Sequence, residues 1–376
     1  MNVLHVYRTY FPETQGGLEE TIRQLCVGTA EHGVQTRVMA PAPHPARKIV
    51  KFSGSRVYQP KLNFELASCS VSWESVGMFK RLQAWADVIH YHFPWPFADV
   101  LHELGKPQQP TVLTYHSDIV RQRVLGKLYQ PLMNRFLSSV DRIVCTSPNY
   151  FATSDVLPRF GSKVEVVPIG LNEETYPKAS TSDLARVQAE YGSDFFLFVG
   201  VLRYYKGLHI LLDAIRDAPF NVVIVGSGPT EMELRQQAQS LGLTNVRFAG
   251  HVDDTVKVSL FQLSRAIVFP SYLRSEAFGV TLLEGAMYGK PLISTEVGSG
   301  TSHVNIDGRT GLVVPPGSAR DLREAMNTLH ADADHAAQLG QAARQRFEEH
   351  FTGDLMARRY VELYRELMAS ERAVSS

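Results

Sequence analysis

Glu276 and Glu284 stand eight residues apart in RSEAFGVTLLEGAMYGKP (274–291), one just ahead of an apolar run and one inside it. A carboxylate in such a run is costly unless hydrogen bonds or a cation answer its charge, so the pair points to a site. The strand-like AIVFPS (266–271) and the loop YLRSEAFG come before it, and Val280, Leu283 and Met287 then share one helical face. Phe278, Gly279, Val280 and Thr281 therefore lie at or near a helix N-terminus, where unpaired amides and the positive end of the helix dipole receive an anion. Glu276 would be repelled by that anion unless cations stand close. Glu284, about one turn into the helix, could accept two hydrogen bonds from a vicinal diol such as a ribose.

The cations are found in FLFVGVLRYYKGLHILLDAI, a strand, a turn and a helix, which puts Arg203 and Lys206 three residues apart at the strand's carboxyl end. Two cations there suit a pyrophosphate, and a solvated basic turn is the plainer reading. In IVGSGP (224–229), Gly226 and Gly228 let backbone come close to a ligand. This G-x-G lacks the full dinucleotide fingerprint and also fits an ordinary tight turn.

Apolar, β-branched runs alternate with helical patterns along most of the chain, which predicts an α/β protein with parallel, doubly wound sheets. The first series is VLHVY (3–7), TRVMAP (36–41), VIHYH (88–92), TVLTYH (111–116), RIVCTS (142–147) and VEVVPIG (164–170). The second is FFLFVG, NVVIVGSG, VRFAGHV, AIVFPS, PLIST and GLVVPP. The polar stretch 172–194 breaks the rhythm, so the expected domains are 1–172 and 173–352. A terminal helix from 353 carries a stripe of Leu355, Met356, Tyr360, Leu363, Tyr364 and Leu367, expected to pack back on the first domain. Open sheets bind ligands beyond the carboxyl ends of their strands, so two such domains facing across a cleft would offer a site on each wall.

Composition narrows the class. The 376 residues are 44% hydrophobic, enough for two cores, and Lys+Arg and Asp+Glu each number 38. Residues 1–170 hold five more basic than acidic residues, and 171–376 five more acidic than basic. Arg47, Lys48, Lys51, Arg56 and Lys61 crowd one acid-free stretch (44–61), which reads as a solvated loop or as a patch for an acidic partner or membrane surface. Cys26, Cys69 and Cys145 are widely spaced, predicting buried free thiols without a disulfide or zinc framework. No run suits a membrane span and no cleavable leader is evident, which predicts a soluble, cytoplasmic chain. Asp332 and Asp334 read as surface residues, so no metal site is expected. His90 and His92, alternating on a strand, read as packing residues before ligands.

Together SEAFGVTLLEGA, RYYKG, PIGLN (168–172) and GRTG (308–311) resemble the retaining glycosyltransferases of family GT4, which have the GT-B fold, over essentially the whole chain. YHFPWPF, TYHSD, LRYYKG and GSGTSHVNIDG look more narrowly like bacterial enzymes that use GDP-mannose or GDP-rhamnose in O-antigen and exopolysaccharide assembly. The resemblance implies a nucleotide-sugar donor held mainly by the second domain and an acceptor bound by the first. It assigns Arg203 and Lys206 to the pyrophosphate, Glu284 to the ribose, and the backbone at His251 and Val252 to the base. Glu276 and the amides of Ala277, Phe278 and Gly279 would meet the sugar hydroxyls, Gly16 and Gly17 the phosphates and sugar, and His116 the sugar near the reacting carbon. Many family members have arginine directly after the strand-ending glycine, where Val201 stands here and Arg203 follows two residues later.

The implied chemistry transfers a mannose or D-rhamnose with retained configuration, without metal, cofactor or nucleic acid, to a lipid-linked saccharide. Preorganised cations and amides would stabilise charge developing on the leaving diphosphate. The segment RQRVLGKLYQPLMNRFL (121–137), basic and apolar together, adds the expectation of a peripheral contact with the inner face of the cytoplasmic membrane. The alternatives are a UDP-sugar transferase, a sugar-nucleotide epimerase of the same fold, an inactive nucleotide-sugar binder, and a dinucleotide-dependent oxidoreductase. The last lacks its glycine fingerprint.

Overall fold

Strands that are apolar on both faces must be covered on both faces, and each of the two series forms its own parallel sheet. The computed structural model describes residues 1–66, 69–119 and 123–375. The chain divides into two compact units, Met1–Gly170 with Gly353–Ser376, and Leu171–Thr352.

In the first unit β1 (Asn2–Val6), β2 (Gln35–Met39), β3 (Val50–Phe52), β4 (Ser55–Tyr58), β7 (Val88–Phe93), β8 (Thr111–Tyr115), β9 (Arg142–Cys145) and β10 (Val164–Val166) make one sheet. Its order is β10-β9-β8-β7-β1-β2-β4-β3, and only β3 runs antiparallel to its neighbour. A separate hairpin pairs β5 (Phe64–Leu66) with β6 (Cys69–Val71). The basic stretch 44–61 is thus not simply a loop: it holds β3 and β4 at the sheet edge, with Arg47, Lys48, Lys51, Arg56 and Lys61 all exposed. Its alternation was hidden because an edge strand needs few apolar residues.

The helix Gly17–Glu31 packs on the terminal helix Gly353–Ser375 within this unit. Met356, Tyr360, Leu363, Tyr364 and Leu367 are buried against Val3, Leu25, Val88 and Val112, each such apolar side chain contributing about 1.5–3 kcal/mol. Leu355, placed in the same stripe from its spacing, is instead 36% exposed. The buried hydroxyls of Tyr360 and Tyr364 need partners and find them in Thr114 Oγ1 (2.8 Å) and His90 Nδ1 (2.7 Å). Cys26 and Cys145 are buried free thiols, and Cys69 is half-buried.

The second unit's sheet contains β11 (Phe196–Val199), β12 (Val222–Val225), β13 (Val246–Gly250), β14 (Ala266–Phe269), β15 (Leu292–Thr295) and β16 (Gly311–Val314). The order is β13-β12-β11-β14-β15-β16, parallel throughout. Winding reverses between β11 and β14, and there the two following loops diverge and leave a crevice at the strands' carboxyl ends. The loop after β11 carries Arg203 and Lys206, and the loop after β14 carries Glu276. In the first unit the reversal falls between β1 and β7. β1 leads to Gly16 and Gly17, and β8, next to β7, ends just before His116.

Gly207 ties the second unit's two loops together. Its φ is +70°, and a Cβ there would meet the carbonyl oxygen of Pro270 at 2.0 Å. Replacement by alanine should therefore lower the unit's stability by about 1–3 kcal/mol, read as a fall in denaturant midpoint. An unchanged midpoint would show that the loops part freely.

Candidate functional site

The second unit's site begins with a buried ion pair. Lys206 Nζ meets Glu276 Oε2, with the two side chains 12% and 10% exposed. Lys206 extends from the short turn Tyr204–Lys206, and its ammonium also lies 4.6 Å from the centre of the Phe269 ring. Glu276 is fixed from its own loop by Ser271 Oγ, which donates to the same carboxylate oxygen at 3.2 Å. Tyr272 N donates to Tyr205 O at 3.0 Å, so the loops after β11 and β14 are joined through backbone as well as charge. Arg203 is exposed, in the same turn as Lys206.

Beyond Glu276 the chain passes Ala277 and buried Phe278 to Gly279, whose φ of 91° turns it into the helix Val280–Met287. Leu282 N donates to Gly279 O at 2.9 Å, and the amides ahead of it precede the helix's first full turn of hydrogen bonds, at the carboxyl edge of the sheet. Thr281 Oγ1 donates to Val199 O at 3.0 Å, which seats the helix start on the end of β11. Glu284 is 6% exposed. Its Oε1 takes hydrogen bonds from Lys257 Nζ at 3.2 Å and Tyr176 OH at 3.3 Å. Burial opposes the charge on Lys257, but Glu284 and Asp254 outweigh it and hold its pKa above the usual lysine value.

The loop after β12 packs against the loop after β11. A Cβ on Gly226 would lie 2.0 Å from Gly200 O, and one on Gly228 2.4 Å from Leu202 O. These glycines thus have a packing reason that needs no ligand. Gly226 N donates to Gly250 O at 2.7 Å, joining this loop to the end of β13, where exposed His251 and half-buried Val252 follow. A shallow hollow elsewhere in the unit, lined by Glu174, Asp183, Asp253 and Asp254 with Arg186, has the wrong charge for a diphosphate.

In the first unit Gly16 caps the helix Gly17–Glu31 in extended conformation, and Glu19 and Glu20 occupy its first turn. A Cβ on Gly16 would come 2.8 Å from Glu19 Oε2, the mobile end of a side chain. His116, directly after β8, is 6% exposed and pairs through Nε2 with His92 Nδ1 at 3.0 Å. Burial lowers its pKa to about 3, so the ring is neutral near pH 7.

Residues 182–346 match the family described as Glycosyl transferases group 1, and residues 15–175 match Glycosyltransferase Family 4. A D-rhamnosyltransferase of Pseudomonas aeruginosa is 53% identical over 352 residues, 94% of this chain and 92% of that protein. The chain belongs to glycosyltransferase family 4. An O-antigen chain mannosyltransferase of Escherichia coli is 49% identical to this glycosyltransferase over 371 residues, 99% of this chain and 100% of that one. Among solved structures, a sucrose-phosphate synthase of Thermosynechococcus elongatus superposes with a TM-score of 0.81 at 22% identity, covering 98% and 99% of the two chains. An Anabaena protein solved with UDP-glucose gives 0.79 at 20% identity, over 97% and 100%. The fold is GT-B, with two Rossmann-like domains, and the chain is a hexosyltransferase.

Sequence reading missed Tyr176, Lys257 and Ser271 in this glycosyltransferase. Lys257 is 27 positions from Glu284, and no local pattern announces a pair at such separation. Asp332 caps the helix Ala333–His350 by accepting from His335 N at 2.9 Å, and Asp334 lies in its first turn. Among the described residues, His5, His90 and His92 bring ring nitrogens within 4.8 Å of one another. His90 uses both nitrogens on Tyr364 and Thr114, so an ion there would have to break existing hydrogen bonds. Among the described residues no helix is long and apolar enough to cross a membrane.

Removing one member of a buried ion pair strands the other charge, at a cost of about 3–5 kcal/mol. Lys206→Met should therefore destabilise the chain far more than the double change Lys206→Met with Glu276→Gln, measured by chemical denaturation. Equal losses in the two variants would refute the coupling.

Proposed function

We propose that this hexosyltransferase moves mannose or D-rhamnose, with retained anomeric configuration and without a metal ion, from a GDP-sugar to a growing surface polysaccharide. The observation that carries the reading is the buried Lys206–Glu276 pair at the winding reversal between β11 and β14. A diphosphate bound at the Val280–Met287 helix start would take up positive charge that the pair now balances internally, freeing Glu276 to accept hydrogen bonds from sugar hydroxyls. Arg203, exposed on the same turn, adds a second cation for the phosphates. Glu284 would accept from the ribose, the backbone at His251 and Val252 would border the base, and Gly226 and Gly228 would line the phosphate approach. Gly16, Gly17 and His116 are assigned to the phosphates and the transferred sugar.

Support for the sugar comes from the relatives, one named a D-rhamnosyltransferase and one an O-antigen chain mannosyltransferase. D-Rhamnose is mannose without its 6-hydroxyl, so one pocket built for the axial 2-hydroxyl serves both. Charge on the leaving diphosphate grows as the glycosidic bond breaks, and lysine, arginine and helix amides stabilise that state more than the ground state. A phosphate oxygen can then take the acceptor's proton on the same face, so no separate base is needed.

The test is a panel of GDP-mannose, GDP-rhamnose, UDP-glucose and UDP-N-acetylglucosamine, scored for nucleotide release with and without polysaccharide primer. A GDP-sugar should be turned over in the presence of chelator, giving the donor's own anomeric configuration in the product. Glu276→Ala should lower kcat by about 100-fold or more while nucleotide binding persists. Preference for a UDP-sugar, or an isomerised donor without primer, would overturn the assignment.

We further propose a lipid-linked acceptor met at an anionic membrane surface. Arg47, Lys48, Lys51, Arg56 and Lys61 form an exposed basic edge beside Ile49, itself 52% exposed. The segment 121–137, also expected to contribute, lies partly outside the described residues. Co-sedimentation with vesicles should rise with anionic lipid and fall when Arg47, Lys48 and Lys51 are changed to glutamate. Binding that ignores lipid charge would count against membrane contact.

A further inference from the structure

His116 is the end of a line of buried imidazoles. His5 on β1 and His90 on β7 are directly paired in the sheet, and His92 lies two residues along β7 on the same face. His92 pairs in register with Thr114 of β8, and His116 N donates to Phe93 O at 3.0 Å. The rings of His5 and His92 stack with centres 5.3 Å apart, as do those of His92 and His116. His5 Nδ1 lies 3.1 Å from His92 Nε2, and His92 Nδ1 lies 3.0 Å from His116 Nε2. His90 stacks beside the line and makes its own hydrogen bonds to Tyr364 and Thr114.

Burial lowers the pKa of His5 to about 3 and that of His116 to about 3, and it holds His90 and His92 well below the ordinary range, where neighbouring imidazoles add to the effect. Each ring is therefore neutral near pH 7, with one N–H and one lone pair. Such a line has only two self-consistent arrangements. In one, His116 Nε2–H donates to His92, His92 Nε2–H donates to His5, and His5 is left with its hydrogen on Nε2. That atom is buried without a partner, and a buried N–H with no acceptor is the costlier kind of orphan. In the other, His5 Nδ1–H donates to His92 and His92 Nδ1–H donates to His116, leaving only a lone pair unanswered at His5. His116 then carries its hydrogen on Nδ1. Among the described residues His116 has no second hydrogen-bond partner, and it keeps 6% of its surface open where His5, His90 and His92 keep 0–1%.

We propose that His5 and His92 are positioning residues that lock His116 as the Nδ1–H tautomer, so that it presents a hydrogen-bond donor to an oxygen of the transferred sugar or its phosphate. The role at the sugar rests on the transferase reading above; the tautomer does not. His92 holds the ring in place, and His5 sets the direction of the hydrogens by having nothing to donate to at its far end. The line also explains why β1, β7 and the residue after β8 spend buried positions on imidazole where an aliphatic residue would pack without polar cost.

The tautomer can be read without substrate. In the full chain labelled with ¹⁵N-histidine, long-range ¹⁵N–¹H correlation spectra, with His116 assigned by its loss in His116→Gln, should show a protonated Nδ1 and a bare Nε2. A protonated Nε2 in the unaltered protein overturns the proposal whatever the enzyme transfers. At position 92, asparagine places its amide near the former Nδ1 and can still donate to His116, whereas glutamine reaches toward His5 instead. Because an amide can also accept and asparagine no longer reaches His5, His92→Asn should show both His116 tautomers and keep only part of kcat; a purely Nδ1-protonated His116 in this variant would overturn the role of His5. His92→Gln should lose the signature and lower kcat by roughly 100-fold with little change in donor KM. Loss of the signature with kcat unchanged would refute a role in transfer. Absence of transfer from any donor, with the signature intact, would sink the transferase reading and leave the locked tautomer standing.

Discussion

A lysine and a glutamate, 70 residues apart, share a buried contact at the point where the second sheet reverses its winding. The remaining parts of that site are placed with respect to this pair. Neither charge is tolerable alone in so dry a place, so the loops after β11 and β14 can hold their positions only together. Gly207 makes the approach possible by offering no Cβ to Pro270 O, and Ser271 and Phe269 complete the surroundings of the two charges. The ammonium and the carboxylate thus enter the crevice as one preorganised unit, each balancing the other's charge.

The same economy governs Glu284. Its carboxylate takes hydrogen bonds from Lys257 and Tyr176, which keeps a buried charge in place. Lys257 remains charged because two carboxylates outweigh its burial. In the first unit, by contrast, burial wins: four histidines are kept neutral, and order comes from the direction of hydrogen bonds instead of from charge.

Much of the fold was legible along the chain because buried parallel strands are apolar on both faces and leave a signal over four to six residues. Every strand of the second sheet, and β8, β9 and β10 of the first, fall within the runs read that way, and β1, β2 and β7 overrun theirs by one residue each. The short strands β3, β4, β5 and β6 did not show, since edge strands and small hairpins are half solvated and carry polar residues. Leu355 shows the limit of periodicity: spacing puts a residue on a stripe, but the width of the partner surface decides whether it is covered.

For the candidate site, residue types and local spacing were enough to nominate Glu276, Glu284, Arg203, Lys206 and the helix start, because a loop and the helix it feeds are contiguous in sequence. Which cation meets which carboxylate was decided only by the tertiary structure. Lys206 reaches Glu276 while Arg203 stays exposed, and Lys257, unmarked by any motif, reaches Glu284. His90 and His92 read as packing residues, and their alternation placed them on one face. That His5 and His116 extend the line depends on strand order β8-β7-β1, which brings together side chains up to 111 positions apart. Local composition determines which elements form and what chemistry they carry. Long-range pairing sets the partners, because hydrogen bonds and ion pairs act across a few ångströms of space irrespective of separation along the chain.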